Sequence, residues 1–174
     1  MSTAAPTKSN EPQTGQFNSI GDTNVHISVD QIQLVTFRVG KVQLGINIDY
    51  VQEINRLMEY TPVPEASPHI HGVVNLRGEV VTVLDAHRIF DLPKPETMTT
   101  GRNLILKIDG ERLGVLVDEV SDILTIRRDE LATRPSNVRE VDRRFIESVF
   151  LRENDVVVVV DPQGFLAAID EFSL

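Results

Sequence analysis

The 174-residue chain carries a formal net charge of −9 at pH 7, is 41% hydrophobic but only 5% aromatic, and contains no cysteine. An acidic chain poor in stacking rings suits neither phosphate backbones and single strands nor anionic membrane surfaces, and without thiolates there is no disulfide framework or Cys-ligated metal. No apolar run approaches the roughly 20 residues of a membrane helix and no charged-then-apolar leader opens the chain, so a soluble cytoplasmic protein with protein partners is expected.

Residues 1 to 30 are rich in Ser, Thr, Asn, Gln, Gly and Pro. Such a segment buries too little surface to offset its chain entropy and reads as a disordered tail, with Val25 to Val29 alternating like an edge strand. Order is expected from Gln31. A strand over Gln33–Val39, a turn at Gly40-Lys41 and a strand over Val42–Ile48 read as a hairpin. Asp49 followed by Gln52 has the form of a capping box, and Val51, Ile54 and Met58 share one helical face, so a short helix is expected there. Glu53 lies beside that face. The helix must end before Thr61-Pro62-Val63-Pro64, which the prolines hold extended.

The chain is organised around Gly72 to Asp85, GVVNLRGEVVTVLD. Two β-branched runs flank Leu76-Arg77-Gly78-Glu79, and Gly78 supplies the positive φ of a tight reversal. Val80 to Leu84 hardly alternates, which predicts a strand buried on both faces. Arg77 is the exception in this apolar hairpin. Turn composition leaves two readings open, a solvated loop cation or an arginine held by a carboxylate, with Glu53 and Asp85 as the candidate acids.

Ala86 to Leu92 is expected to form a helical turn. Pro93 to Gly101, polar and Pro-rich, marks the boundary between two halves of 31–174. A second hairpin is predicted from Asn103–Ile108 and Arg112–Val117 around Asp109-Gly110, then a strand over Val120–Ile126. Arg127 to Ala132 is read as a helical turn and Thr133 to Val138 as a loop. Phe145–Leu151 and Val156–Val160 are strands about Glu153-Asn154. Asp161-Pro162 starts a terminal helix whose stripe is Phe165, Leu166, Ile169 and Phe172. Each half is thus built of strand hairpins, a hint of an internal repeat.

His69 and His71 share one face of an extended segment, with Asp85 and His87 downstream. Imidazole and carboxylate suit zinc or iron, but solvated loop histidines are the simpler expectation. A His-ligated small-barrel enzyme using His69, His71 and His87 stands as the alternative to a protein-interaction domain. No nucleophile elbow, phosphate-binding glycine pattern or EF-hand spacing occurs. The residues alone therefore point to an all-β interaction domain without enzymatic chemistry.

Four blocks in order carry a resemblance: Val51-Gln52-Glu53-Ile54, Val63-Pro64, Gly72 to Gly78 with Val83-Leu84-Asp85, and Gly114 to Asp122. Through them residues 31–174 resemble the CheW-type chemotaxis coupling proteins. The resemblance implies a mainly β fold of two small SH3-like five-stranded barrels packed together, with short helices and a C-terminal helix. It also implies a non-enzymatic adaptor, without cofactor or metal, coupling chemoreceptor signalling tips to the regulatory domain of the histidine kinase CheA. Its place would be cytoplasmic, at membrane-associated receptor arrays through its partners. An adaptor of another chemosensory pathway, such as pilus-based motility, shares these features. The implied receptor-binding groove comprises Val51, Glu53, Gly72, Arg77 and Val120, with Glu53 and Arg77 as an acid–arginine pair and Gly72 admitting a partner backbone. The chain departs from the family pattern at Thr82 (commonly proline), Ala86 (commonly leucine) and Ser148 (commonly glycine), the last expected to reshape part of the groove.

Overall fold

The structure, a computed structural model, describes residues 30–136 and 143–170. The expected tail before Asp30, its alternating Val25–Val29 and the last stripe residue Phe172 lie outside the described residues. The strands are β1 (Gln31–Val39), β2 (Val42–Asn47), β3 (Val51–Arg56), β4 (Ile70–Leu76), β5 (Glu79–Asp85), β6 (Arg102–Ile108), β7 (Glu111–Val117), β8 (Glu119–Arg127), β9 (Leu131–Thr133), β10 (Ile146–Arg152) and β11 (Asp155–Val160). Helix α1 (Ala86–Ile89) follows β5, and α2 (Pro162–Asp170) follows β11.

Two sheets result, in the orders β8-β1-β2-β11-β10-β9 and β3-β6-β7-β5-β4. They are the two SH3-like barrels, one of them extended by the three-residue β9. The period-two rule sorts their side chains. Phe37 and Val39 of β1, Leu44 and Ile46 of β2, Leu104 and Leu106 of β6, and Val115 and Val117 of β7 meet in one large core shared by both sheets. The opposite parity fills the barrel interiors, with Leu34, Ile126 and Val159 in one and Val83, Ile105 and Leu116 in the other. This double burial is why β5, β6 and β7 read as nearly continuous apolar runs.

The chain contains an internal repeat, and the two copies exchange parts. Val83-Leu84-Asp85 leads into α1 as Val159-Val160-Asp161 leads into α2, and both aspartates accept a bond from the backbone N–H two residues on, His87 at 3.1 Å and Gln163 at 2.9 Å. Leu44-Gly45 in β2 matches Leu113-Gly114 in β7. Each glycine sits beside the one parallel neighbour of its strand, Val159 and Val83 respectively. The units are β1–β5 with α1 and β6–β11 with α2, joined by residues 93–101. Yet each unit's first hairpin lies between strands of the other unit: β1-β2 between β8 and β11, and β6-β7 between β3 and β5. The expected boundary at 93–101 thus joins two sequence units but lies between strands of a single sheet. The two halves of the chain are not the two barrels. A hairpin apolar on both faces fits the middle of either sheet, so its hydrophobic pattern does not say which one it enters.

One expected helix is a strand, whereas the helical turn expected over Arg127–Ala132 is present as a 3-10 turn at Arg128–Glu130. Residues 48–50 make a single 3-10 turn capped by the Asn47 side chain, which accepts from the Asp49 N–H at 3.1 Å, and Val51–Arg56 is β3. The local gain from one helical turn is small, whereas β3 pairs with β6 from Val51↔Leu106 to Arg56↔Arg102. After Arg127 a second 3-10 turn leads into β9, which includes Thr133, a residue expected in a loop.

Candidate functional site

The β4–β5 turn is a two-residue loop in which both central residues are left-handed, Arg77 at φ 53° and Gly78 at φ 88°. The β6–β7 turn repeats it with Asp109 at 50° and Gly110 at 90°. This geometry matches the twist of the flanking strands, and at Arg77 it obliges a bulky residue to adopt a conformation that favours glycine. The Asn75 side chain steadies the turn by accepting from the Gly78 N–H at 2.8 Å.

From this turn Arg77 reaches Glu53 on β3, its Nη2 donating to Oε2 at 3.0 Å. Asp85, the other candidate acid, stands at the far end of β5 and is fully buried. It accepts from Lys94 Nζ at 2.6 Å and caps α1. Two residues that sequence reasoning missed complete the site. Arg112 of β7 donates from Nη2 to Glu53 Oε1 at 3.3 Å and from Nη1 to Glu79 Oε2 at 2.5 Å. The side chains of Glu53 and Arg112 are 18% and 15% exposed, against 81% for Arg77 and 55% for Glu79. Glu53 and Arg112 are therefore the enclosed centre of an alternating Arg–Glu–Arg–Glu chain, and Arg77 is its outer cation. An ion pair as exposed as Arg77–Glu53 contributes only about 0–1 kcal/mol to folding. No signal in the sequence marked Arg112, which stands next to Glu111 at the start of a strand.

Of the other expected groove residues, Val51 starts β3 and packs against the shared core. Gly72 lies in β4, but the space beside it is already taken. A Cβ there would come within 2.7 Å of the Thr61 carbonyl oxygen, and Thr61 and Val73 exchange two backbone hydrogen bonds of 2.9 Å. The close backbone approach at Gly72 is thus made by this chain's own Thr61. Val120 belongs to the other sheet, where it packs against the shared core and lines a pocket with Thr100, Arg102, Asp118 and Glu119. Ser148 is also in that sheet, buried in β10 with its hydroxyl unpaired, so it does not shape the Glu53–Arg77 site.

His71 and His87 are not solvated loop residues, and His69 sits half-buried in the turn before β4 with its Nδ1 unpaired. His87 is buried, and its Nε2 donates to Asp118 Oδ1 at 2.7 Å, while the second oxygen of Asp118 accepts from the Gly40 N–H at 2.7 Å. His71 packs edge-on against Tyr60 with ring centroids 4.4 Å apart, and its Nδ1 is 3.9 Å from Asp85 Oδ2. Among the described residues no three His, Cys, Asp or Glu side chains converge as a metal site would require. Burial, helped by the Lys94 and Arg88 cations and opposed by Asp85, pushes the His71 imidazole below its ordinary value. The folded state therefore prefers the neutral ring. The resulting stability is complete above pH 6.5 and is lost as pH falls from there toward the depressed folded-state value. His71→Phe is expected to flatten this part of the profile, compared as urea midpoints at about pH 7.5 and 5.5 for wild type and variant. Parallel profiles would remove His71 as the cause.

The fold is thus a pair of SH3-like barrels, one of which carries an acid–arginine pair at a hairpin tip. The comparisons with known proteins agree. The family model for the CheW-like domain matches residues 33–170, and the chain belongs to that family. The chemotaxis protein CheW of Bacillus subtilis is 29% identical over 134 residues, 77% of this chain and 86% of that protein. FrzA of Myxococcus xanthus is 38% identical over 98 residues, 55% of this chain and 58% of that protein. The crystal structure of the scaffolding protein TtCheW from Thermoanaerobacter tengcongensis superposes with a TM-score of 0.72 at 25% identity, covering 79% of this chain and 88% of that one.

Proposed function

We propose that this protein is a non-enzymatic chemotaxis adaptor that couples the cytoplasmic signalling tip of a chemoreceptor to the regulatory domain of the histidine kinase CheA. The observation that carries the reading is the Glu53–Arg77 pair on an exposed hairpin tip, in a chain of the CheW-like family. Docking an amphipathic helix requires apolar contact area and a few polar groups to fix its register. Ile54 and Val80, one residue along their strands from Glu53 and Glu79 and so on the opposite face, are exposed large apolar side chains, 44% and 69% accessible. Arg77 on the turn offers a planar fork of donors. The protein would work in the cytoplasm, held at receptor arrays through its partners.

The similarity to FrzA supports a second setting, the same coupling role in another chemosensory pathway. Co-sedimentation of the full-length protein with receptor-containing membranes and kinase tests the role. The kinase is expected to enter the pellet, and its activity to come under receptor control, only when the adaptor is present. Kinase recruitment unaffected by the adaptor would overturn the reading.

A further inference from the structure

The Arg–Glu–Arg–Glu chain has an asymmetry that a static ion-pair network does not need. Arg112 is held in a central strand between β6 and β5 and is largely enclosed, whereas Arg77 stands in solvent on a turn. Arg112 meets Glu53 through Nη2 alone, and its Nε is buried without a hydrogen-bond partner. Nε–H and one Nη2–H lie along the same edge of a guanidinium, the edge that takes a carboxylate bidentately. On that edge Nη2 bonds Glu53 Oε1 while Nε is left without a partner, and Glu53 Oε2 accepts from Arg77. An orphaned buried donor is costly, and this one shares its guanidinium edge with the Nη2 that already bonds Glu53.

We propose that Arg112 makes the site exchangeable. Arg77 leaves Glu53 for a carboxylate on the docked helix, and Arg112 then takes both oxygens of Glu53 through Nη2 and the previously unpaired Nε. The inference rests on the receptor-docking reading above and adds the partner chemistry, an acidic side chain beside the helix's apolar face, and the residue that permits the swap. Without Arg112, releasing Arg77 would strand a mostly enclosed carboxylate, and docking would carry that penalty. With it, the cation count at Glu53 falls from two to one and the carboxylate stays paired. Arg112 is thus a positioning residue, since it acts on the partner only through Glu53 and Arg77. Glu79, half-exposed on the other arm of Arg112, keeps the guanidinium in place during the swap.

The test is a double-mutant cycle on the full-length protein, titrated by calorimetry with a soluble receptor signalling-tip fragment. Arg112→Gln is expected to weaken binding about tenfold when Arg77 is present and less than about twofold in an Arg77→Ala background, where no swap can occur. Adding Glu53→Gln to Arg112→Gln is expected to restore affinity to within about threefold of wild type, because no anion is then stranded. Equal losses in both backgrounds, or no rescue, would overturn the exchange. Circular dichroism and binding to the kinase regulatory domain report whether each variant is folded. Should Arg112→Gln not fold, Glu53→Gln alone decides. Exchange predicts unchanged or tighter receptor binding, since Arg77 has lost its internal competitor, and a fixed Glu53–Arg77 docking pair predicts weaker binding. A wild-type protein that does not bind the fragment refutes the coupling role and the exchange with it, whereas wild-type binding with an additive cycle refutes the exchange alone.

Discussion

Phe165→Ala is expected to lower the unfolding free energy by about 3–5 kcal/mol, the largest effect of any single change considered for this fold. Phe165 is 1% exposed on α2 and meets Phe145 at 5.6 Å and Phe90 at 6.1 Å between ring centroids, with Phe90 and Phe145 themselves 5.9 Å apart and nearly perpendicular. Three rings, one just after α1, one just before β10 and one within α2, thus pack together in the shared core. Each aromatic pair adds about 0.5–1.5 kcal/mol to the area its rings bury, and the cavity left by alanine borders both barrels at once. Leu166, expected from the stripe to be an equal anchor, is only partly buried, and Leu166→Ala should cost about 1–2 kcal/mol. Urea denaturation with an unchanged m-value gives both numbers. An unchanged midpoint for Phe165→Ala, with partner binding lost, would make α2 an interface instead of a core element.

Gly72→Ala is expected to destabilise the free protein by about 1–3 kcal/mol, through overpacking against backbone that has little room to move. The added Cβ would lie 2.7 Å from the Thr61 carbonyl oxygen and 3.3 Å from its carbon, and Thr61 is tied to Val73 by two hydrogen bonds. The clash is relieved only if the segment before β4 lifts off the strand, which weakens those bonds. Thermal unfolding of the isolated protein measures this directly. If the stability of the free protein were unchanged while receptor affinity fell, Gly72 would be admitting a partner's backbone after all.

The strand hairpins were legible because β-branched runs broken by Gly40, Gly78 and Gly110 have few other ways to fold. Asp161-Pro162 likewise marked α2 by the chemistry of a helix start. The segment after Asp49 misled because its capping pattern is a local signal, whereas Val51–Arg56 is decided by the ladder offered by β6, some 50 residues away in sequence. Glu53 and Arg77 stood out as charges bordering apolar runs, and their contact at 3.0 Å is a matter of register that spacing alone could not supply. Arg112 carried no such signal, because a cation next to Glu111 at the start of a strand is ordinarily solvated. Its importance depends on β7 lying beside β5, a parallel neighbour that no local pattern announces.

The exchange of hairpins between the repeat units governs how the chain can come into being. On a ribosome, β1 and β2 emerge first, yet their outer neighbours β8 and β11 end at residues 127 and 160. The β3–β5 segment likewise waits for β6 and β7 before its sheet is continuous. Neither barrel can close during synthesis of the first half, and the second half alone has the same two vacancies. Loop closure over such separations is slow, and waiting strand edges are open to pairing with other chains. The protein therefore has no autonomous half. Its order arrives late and all at once, and a chain severed in the 93–101 linker could regain it only when both pieces are present.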